Sequence, residues 1–128
     1  MKYLLDTHLL LWAAGDFERL PPEATALLTD GANDIMFSVA SLWEIVIKKG
    51  LGRSSFVVDA AELRQALLDN DFREIQIRAE HVLAVEALPA LHKDPFDRLL
   101  LAQAIIEGAI LLTADRTLAR YSGPIRAF

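Results

Sequence analysis

The chain contains no cysteine. That removes a disulfide framework, a thiolate zinc site and a cysteine nucleophile together, and it fits a reducing, cytoplasmic setting. Long apolar runs are absent as well. Nothing approaches the roughly 18 residues a membrane-spanning helix needs, so no membrane association is expected. The opening Met1-Lys2-Tyr3-Leu4-Leu5-Asp6 meets an acid where a secretory leader would continue its apolar core. Neither GxxxxGK nor GxGxxG occurs, which leaves nucleotide binding by those phosphate-cradling loops unsupported. The three histidines, His8, His81 and His92, are not spaced as a zinc set. Positive charge is scarce too: 13 Lys and Arg stand against 18 Asp and Glu, for a net charge of −5. Phosphate contacts need clustered Lys and Arg, so this balance argues against a broad nucleic-acid-binding surface. The objection weakens where acids are metal ligands, because bound cations reverse the local field.

What is present is an apolar chain of one-domain size. Its 128 residues suffice for a real core in a single domain spanning 1–128. Hydrophobic residues make up 53%, above the roughly 45–50% of an average domain. The surplus points to a dimer interface or a partner-binding groove.

Short apolar runs alternate with helical segments. Tyr3-Leu4-Leu5 reads as a buried strand, followed by a helix from Leu9 to Ala14 closed by Gly15. Pro21-Pro22-Glu23 opens a helix through Leu28. Ile35-Met36-Phe37 is a second strand, and Ser41 to Lys49 a helix ending on Lys48-Lys49-Gly50. After a loop from Leu51 to Val58, Asp59-Ala60-Ala61-Glu62 has the capping-box pattern of a helix start. Glu74 to Ile77 alternates as a half-buried strand, and a helix from Ala79 to Leu88 stops at Pro89. Asp94-Pro95-Phe96-Asp97 begins a helix that runs to Glu107 and ends at Gly108. Ala109 to Leu112 is a further apolar strand, Asp115 opens a short helical turn, and Pro124 to Phe128 reads as an edge strand. The alternation predicts a three-layer α/β/α sandwich around a mostly parallel, about five-stranded sheet.

Three acids, Asp6, Glu44 and Asp115, fall on one edge of such a sheet, and a fourth, Asp97, reaches it if its helix starts there. Asp6 follows the first strand and Asp115 the strand Ala109–Leu112. Glu44 lies in the first turns of the helix after Ile35–Phe37, and Asp97 in the first turn of the helix before residue 109. Open α/β sheets bind ligands outside the carboxyl ends of their strands. Converging carboxylates repel by on the order of 4 kcal/mol per pair at ~4 Å and an effective dielectric of 20. They therefore need cations or protons. All-oxygen ligands suit Mg²⁺ or Mn²⁺, which support in-line displacement at phosphorus.

The segments Leu-Leu-Asp-Thr-His (4–8), Ser-Val-Ala-Ser-Leu-Trp-Glu-Ile (38–45), His-Lys-Asp-Pro-Phe-Asp-Arg-Leu-Leu-Leu-Ala-Gln-Ala (92–104) and Leu-Leu-Thr-Ala-Asp (111–115) resemble the PIN-domain family. Within it they look most like the VapC toxins of toxin–antitoxin pairs. The likeness covers essentially the whole chain, and 92–104 is its most specific part. It implies a Mg²⁺- or Mn²⁺-dependent ribonuclease, a homodimer, and inhibition by a cognate VapB-like antitoxin. It also implies that Asp6, Glu44, Asp97 and Asp115 form the acidic site, with Thr7 and Thr113 as supporting hydroxyls. Asp94 stays open between joining the site and only capping its helix.

Plainer roles exist for each residue. Asp6 and Asp115 suit helix starts, Ser41-x-x-Glu44 is itself a capping box, and Asp94-Pro95 is an N-cap with a first-turn proline. Capping does not, however, require the acids to share one edge. Trp12 and Trp43 suit core or interface better than base stacking. Lys48, Lys49 and Arg53 read as solvated helix-end charges ahead of phosphate contacts, and Arg98 as a contact to RNA, antitoxin or a nearby acid. Rival functions are an aspartate-nucleophile phosphatase, a phospho-receiver domain and a catalytically silent partner-binding module. The phosphatase wants an acid where His8 stands, and the receiver wants an aspartate where Phe37 is followed by Ser38. The presence of all four acids speaks against the silent module.

Overall fold

The computed structural model describes every residue, Met1–Phe128. Five strands, β1 (Lys2–Leu5), β2 (Asp34–Ser38), β3 (Arg73–Ile75), β4 (Ile110–Thr113) and β5 (Ile125–Ala127), form one sheet. Their spatial order is β3-β2-β1-β4-β5, and every adjacent pair is parallel. Around them lie α1 (Thr7–Gly15), α2 (Pro22–Thr29), α3 (Val39–Gly50), α4 (Ala60–Asp69), α5 (Ala79–Val85) and α6 (Pro95–Glu107).

The strands are apolar throughout because both faces are covered. Successive side chains alternate between faces. Tyr3, Leu5, Ile35, Phe37 and Leu112 meet α1 to α4 through Leu9, Leu10, Ala24, Ile45, Leu63 and Leu67. Leu4, Met36 and Leu111 meet α6 through Leu100, Leu101 and Ala104. The result is the α/β/α sandwich that the alternation predicts. Every residue of α6 from Leu99 to Ala104 is buried, so this helix is apolar nearly all round. Gly108 ends it in the left-handed region at φ 66°, a conformation glycine adopts without steric cost.

The order of the strands places the site. From β1 the chain moves outward through β2 to β3, then returns to β4 on the other side of β1 and ends at β5. The direction reverses between β1 and β4, and sheets of this kind form their ligand crevice outside the carboxyl ends at such a point.

Several local expectations change. Helix α3 starts at Val39, with the Ser38 hydroxyl accepting the Ala40 N–H at 3.0 Å. Ser41 therefore lies inside the helix, and the Ser41–Glu44 capping box does not form. Helix α5 stops at Val85, three residues early, because Arg98 Nη2 takes the carbonyls of Val85 and Leu88. Within the chain, Arg98 thus contacts the carbonyls at the end of α5 and pairs with no acid. The third strand is Arg73–Ile75, shifted toward the amino end. The last helical turn is Leu118–Arg120, beyond Asp115.

Candidate functional site

Five acids gather at the crevice, each delivered by local backbone chemistry. Asp6 ends β1 and caps α1: its Oδ1 accepts the Leu9 N–H at 2.8 Å. Its other oxygen accepts Thr113 Oγ1–H, and the Ala114 N–H at 3.2 Å. Asp94 caps α6 by accepting the Phe96 N–H at 2.9 Å, with Pro95 in the first turn. One turn of backbone then brings Asp97 to the same edge. Asp115 follows β4, and its Oδ1 accepts the Thr117 N–H at 2.8 Å. Glu44 points from α3 toward α1, where Thr7 Oγ1 donates to it at 2.5 Å. Asp6 and Asp94 thus reach this edge through the same geometry by which they cap α1 and α6.

The contacts close into a ring. Glu44 Oε2 binds Lys48 Nζ, which reaches Asp94 Oδ2 at 3.1 Å. The Asp94 N–H donates to His92 Nδ1 at 3.0 Å. His92 Nε2 lies 2.8 Å from Asp115 Oδ2 and 3.2 Å from Asp97 Oδ2. The Asp115 N–H donates to Thr113 Oγ1 at 2.9 Å, and Thr113 holds Asp6. Asp6 and Thr7 are consecutive, which returns the path to Glu44. The supporting roles of Thr7 and Thr113 are therefore explicit contacts.

Lys48 corrects the expectation of a solvated helix end. Its side chain is 16% exposed and sits between two carboxylates, beside the rings of Phe56 and Phe96. His92 lacked any assigned role and is central. A faint signal existed for each: Lys48 lies four residues after Glu44, the spacing of a helical ion pair, and His92 lies two before the Asp94 cap. The tertiary approach of α3 to the start of α6 carried no signal in either segment. His8 is exposed and packs edge-on against Phe56, outside the ring. Trp43, 53% exposed, packs edge-on against Phe96. Lys49 and Arg53 have no contact with the acids and are exposed.

Charge does not balance here. Five carboxylates face one ammonium. Burial, then the charges of Asp94 and Glu44, push the Asp97 carboxyl up to about 7. Burial also raises the carboxyl of Asp6, outweighing the hydrogen bonds it accepts. At Asp115 burial pulls upward, but the hydrogen bonds from His92 and Thr117 prevail and hold it below the usual carboxylate range. Burial opposes the charge on Lys48, yet Glu44 and Asp94 raise its pKa above that of a free lysine. A site that retains a proton near neutral pH on a half-buried acid has room for more positive charge. Its oxygen donors fit a hard divalent cation. His92, Asp97 and Asp115 also bring ligand atoms within 4.8 Å of one another. Asp6 is a poor covalent nucleophile, because both of its oxygens are already bonded and it is 3% exposed.

Residues 3–124 match the family model described as the PIN domain. No curated protein matches the chain. Among solved structures, a chain from the crystal structure of VapBC2 of Rickettsia felis, bound to a DNA fragment from their promoter, aligns with a TM-score of 0.69 at 20% identity. That alignment covers 99% of this chain and 98% of the other. A chain of VapBC-1 from nontypeable Haemophilus influenzae gives 0.60 at 16% identity, with 99% and 98% covered. A domain of a functionally unknown protein from Methanocaldococcus jannaschii gives 0.58 at 16%, with 99% and 90% covered. At these identities the likeness concerns the fold.

Proposed function

This chain belongs to the PIN-domain family, and from that premise we propose that it is a metal-dependent endoribonuclease, the toxin of a VapBC-type pair. The observation that carries the reading is the convergence of five carboxylates with a single ammonium at the β1–β4 switch point. Asp6, Glu44, Asp97 and Asp115 would hold Mg²⁺ or Mn²⁺, with Asp94 serving chiefly as helix cap and partner of Lys48. When bound, such a cation polarises a water and offsets charge that develops on a phosphodiester.

The chain supplies the rest. Thr113 and the Ala114 N–H fix Asp6, and Thr7 and Lys48 fix Glu44, so the inner wall is set before substrate arrives. Asp97 and Asp115 form the outer rim, open enough for a phosphate to approach. One of the ionised carboxylates accepts the proton of the attacking water.

Partners follow from the surface. An apolar groove of about 380 Å³, lined by Trp43, Val82, Val85, Pro95, Phe96 and Leu99, lies against the turn that carries Asp94 and Asp97. It suits a VapB-like antitoxin segment that blocks the adjacent crevice. Exposed Val46, Ile47, Val82 and Leu83 suit a homodimer. No helix is long and apolar enough to cross a membrane, and a cytoplasmic site of action fits an RNA substrate.

The test is cleavage of a labelled structured RNA by antitoxin-free protein with Mg²⁺, with Mn²⁺ and with EDTA, beside Asp97→Asn. Cleavage that requires the metal and is lost in the variant supports the reading. A protein that neither cuts RNA nor binds Mn²⁺ is a partner-binding module of the same fold.

A further inference from the structure

We propose that His92 is a positioning residue: fixed as a neutral Nε2–H donor to Asp115, it holds that carboxylate beside Asp97 in the placement that a divalent cation needs. The inference rests on the metal-site reading above and concerns how that site is kept in register.

The tautomer follows from bonding. His92 Nδ1 lies 3.0 Å from the Asp94 amide nitrogen. A backbone N–H can only donate, so Nδ1 presents its lone pair, and the ring hydrogen resides on Nε2. That hydrogen is donated to Asp115 Oδ2 at 2.8 Å, and Asp97 Oδ2 lies 3.2 Å from the same nitrogen without sharing the bond. A third tether is the His92 N–H, which donates to the hydroxyl of buried Tyr121 at 3.0 Å. The ring is therefore held on both edges and at its backbone.

Two consequences follow. First, the orientation does not suit His92 as a ligand. Binding a cation through Nε2 would move the hydrogen to Nδ1, directly against the Asp94 N–H. Second, Asp97 and Asp115 come from separate elements, the start of α6 and the loop after β4. His92 Nε2 bridges them, hydrogen-bonded to Asp115 Oδ2 and in contact with Asp97 Oδ2 at 3.2 Å. It supplies direction and no net charge, so the electrostatic demand for a cation is left in place.

Removal of a hydrogen-bond partner behind ligating carboxylates typically weakens metal affinity ~10–100-fold. The experiment is a Mn²⁺ titration of the folded protein, read by the resonance signal of free Mn²⁺, for wild type, Asp97→Asn, His92→Ala and His92→Gln. Glutamine places an amide N–H near the position of Nε2. The expected result is that His92→Ala binds ~10–100-fold more weakly and that His92→Gln stays within about threefold of wild type. Cleavage by His92→Ala at limiting Mn²⁺ should fall with the affinity and recover at saturating Mn²⁺.

His92→Ala binding within about threefold of wild type would overturn the inference, as would His92→Gln binding as weakly as His92→Ala. Should the alanine variant not fold, the glutamine variant decides by the same margin. If wild type and Asp97→Asn bind Mn²⁺ equally, the metal-site reading itself fails. If those two differ and His92→Ala matches wild type, only the role of His92 fails.

Discussion

The crevice has two sides that treat the same chemical group differently. On the α3 side, Glu44 and Asp94 share the ammonium of Lys48, and Glu44 is 2% exposed. On the β4 side, Asp115 accepts a neutral imidazole N–H whose nitrogen lies 3.2 Å from Asp97, and Asp97 and Asp115 remain 15% and 38% exposed. One side is half-neutralised by the protein, whereas the other is only oriented by it. Burial, with the charges of Asp94 and Glu44, lifts Asp97 to about 7, whereas at Asp115 the hydrogen bonds from His92 and Thr117 outweigh burial and keep it low. Carboxylate count is thus a weaker guide to a cation site than how much of the charge the fold has already balanced.

The largest break in this comparison is Asp97→Asn. It removes the acid whose charge the fold leaves uncompensated while keeping shape and one acceptor oxygen. Metal catalysis supplies several kcal/mol, so RNA cleavage should fall on the order of 10³-fold with the fold intact. Cleavage at the wild-type rate would show that the unbalanced side is not the working side. Next is Lys48→Met, which unbalances the other side. Removing one member of a buried ion pair costs about 3–5 kcal/mol, and the partial exposure of Lys48 places the effect near the lower end. Denaturant melts would show it. Added Mn²⁺ should raise the Tm of this variant more than that of wild type, since it then relieves both sides.

Much of this was legible in the residues. The strands β1, β2 and β4 are unbroken apolar runs because two helical layers cover them. Asp6 and Asp115 follow strands directly, and Asp94-Pro95 announces its helix. The neutralising partners were hidden for a physical reason. Lys48 looks like any lysine in the last turn of a helix until α6 brings Asp94 against it, and His92 gains its role only when β4 delivers Asp115. Helix starts blurred similarly. Ser38 and Ser41 both offer a hydroxyl before an apolar stretch, and the choice fell to Ser38 because β2 ends there. The full length of α5 could not be read either, since a guanidinium 10 residues beyond Leu88 takes its carbonyl.

A subtler effect separates the sides by pH. The Asp97 carboxyl titrates near 7 when folded and near 3.9 when unfolded. Between these values the folded chain keeps a proton that the unfolded chain releases, so folding is favoured most at low pH. The contribution of Asp97 to stability is therefore greatest below pH ~4, declines as pH rises, and levels off above about 7. Asp97→Asn lacks this decline. In EDTA, its stability relative to wild type should grow by on the order of 1–2 kcal/mol from pH 5 to pH 8, after allowance for solvent screening. Mn²⁺ affinity of wild type should climb over the same interval as the cation displaces that proton. Parallel stability curves for the two proteins would show that Asp97 is already compensated, and the contrast between the two sides would vanish.

The smallest effect concerns the residue that joins the sides. Thr113 Oγ1 donates to Asp6 and accepts the Asp115 N–H at 2.9 Å, so one hydroxyl sets an inner acid and the loop of an outer one. Thr113→Val keeps the shape of this fully buried side chain and removes both contacts. A lost hydrogen bond with its partner left buried costs about 1–3 kcal/mol, more where that partner is charged. Here the cost is limited because Asp6 can take up a proton more readily once Thr113 no longer favours its ionised form. The expected loss of stability is therefore about 1–2 kcal/mol, seen as a lower denaturation midpoint at unchanged slope. Thr113→Ser restores both bonds and should return most of that loss, less the value of one methyl group. If serine were no better than valine, the hydroxyl would be incidental, and Asp6 and Asp115 would be placed independently by β1 and β4.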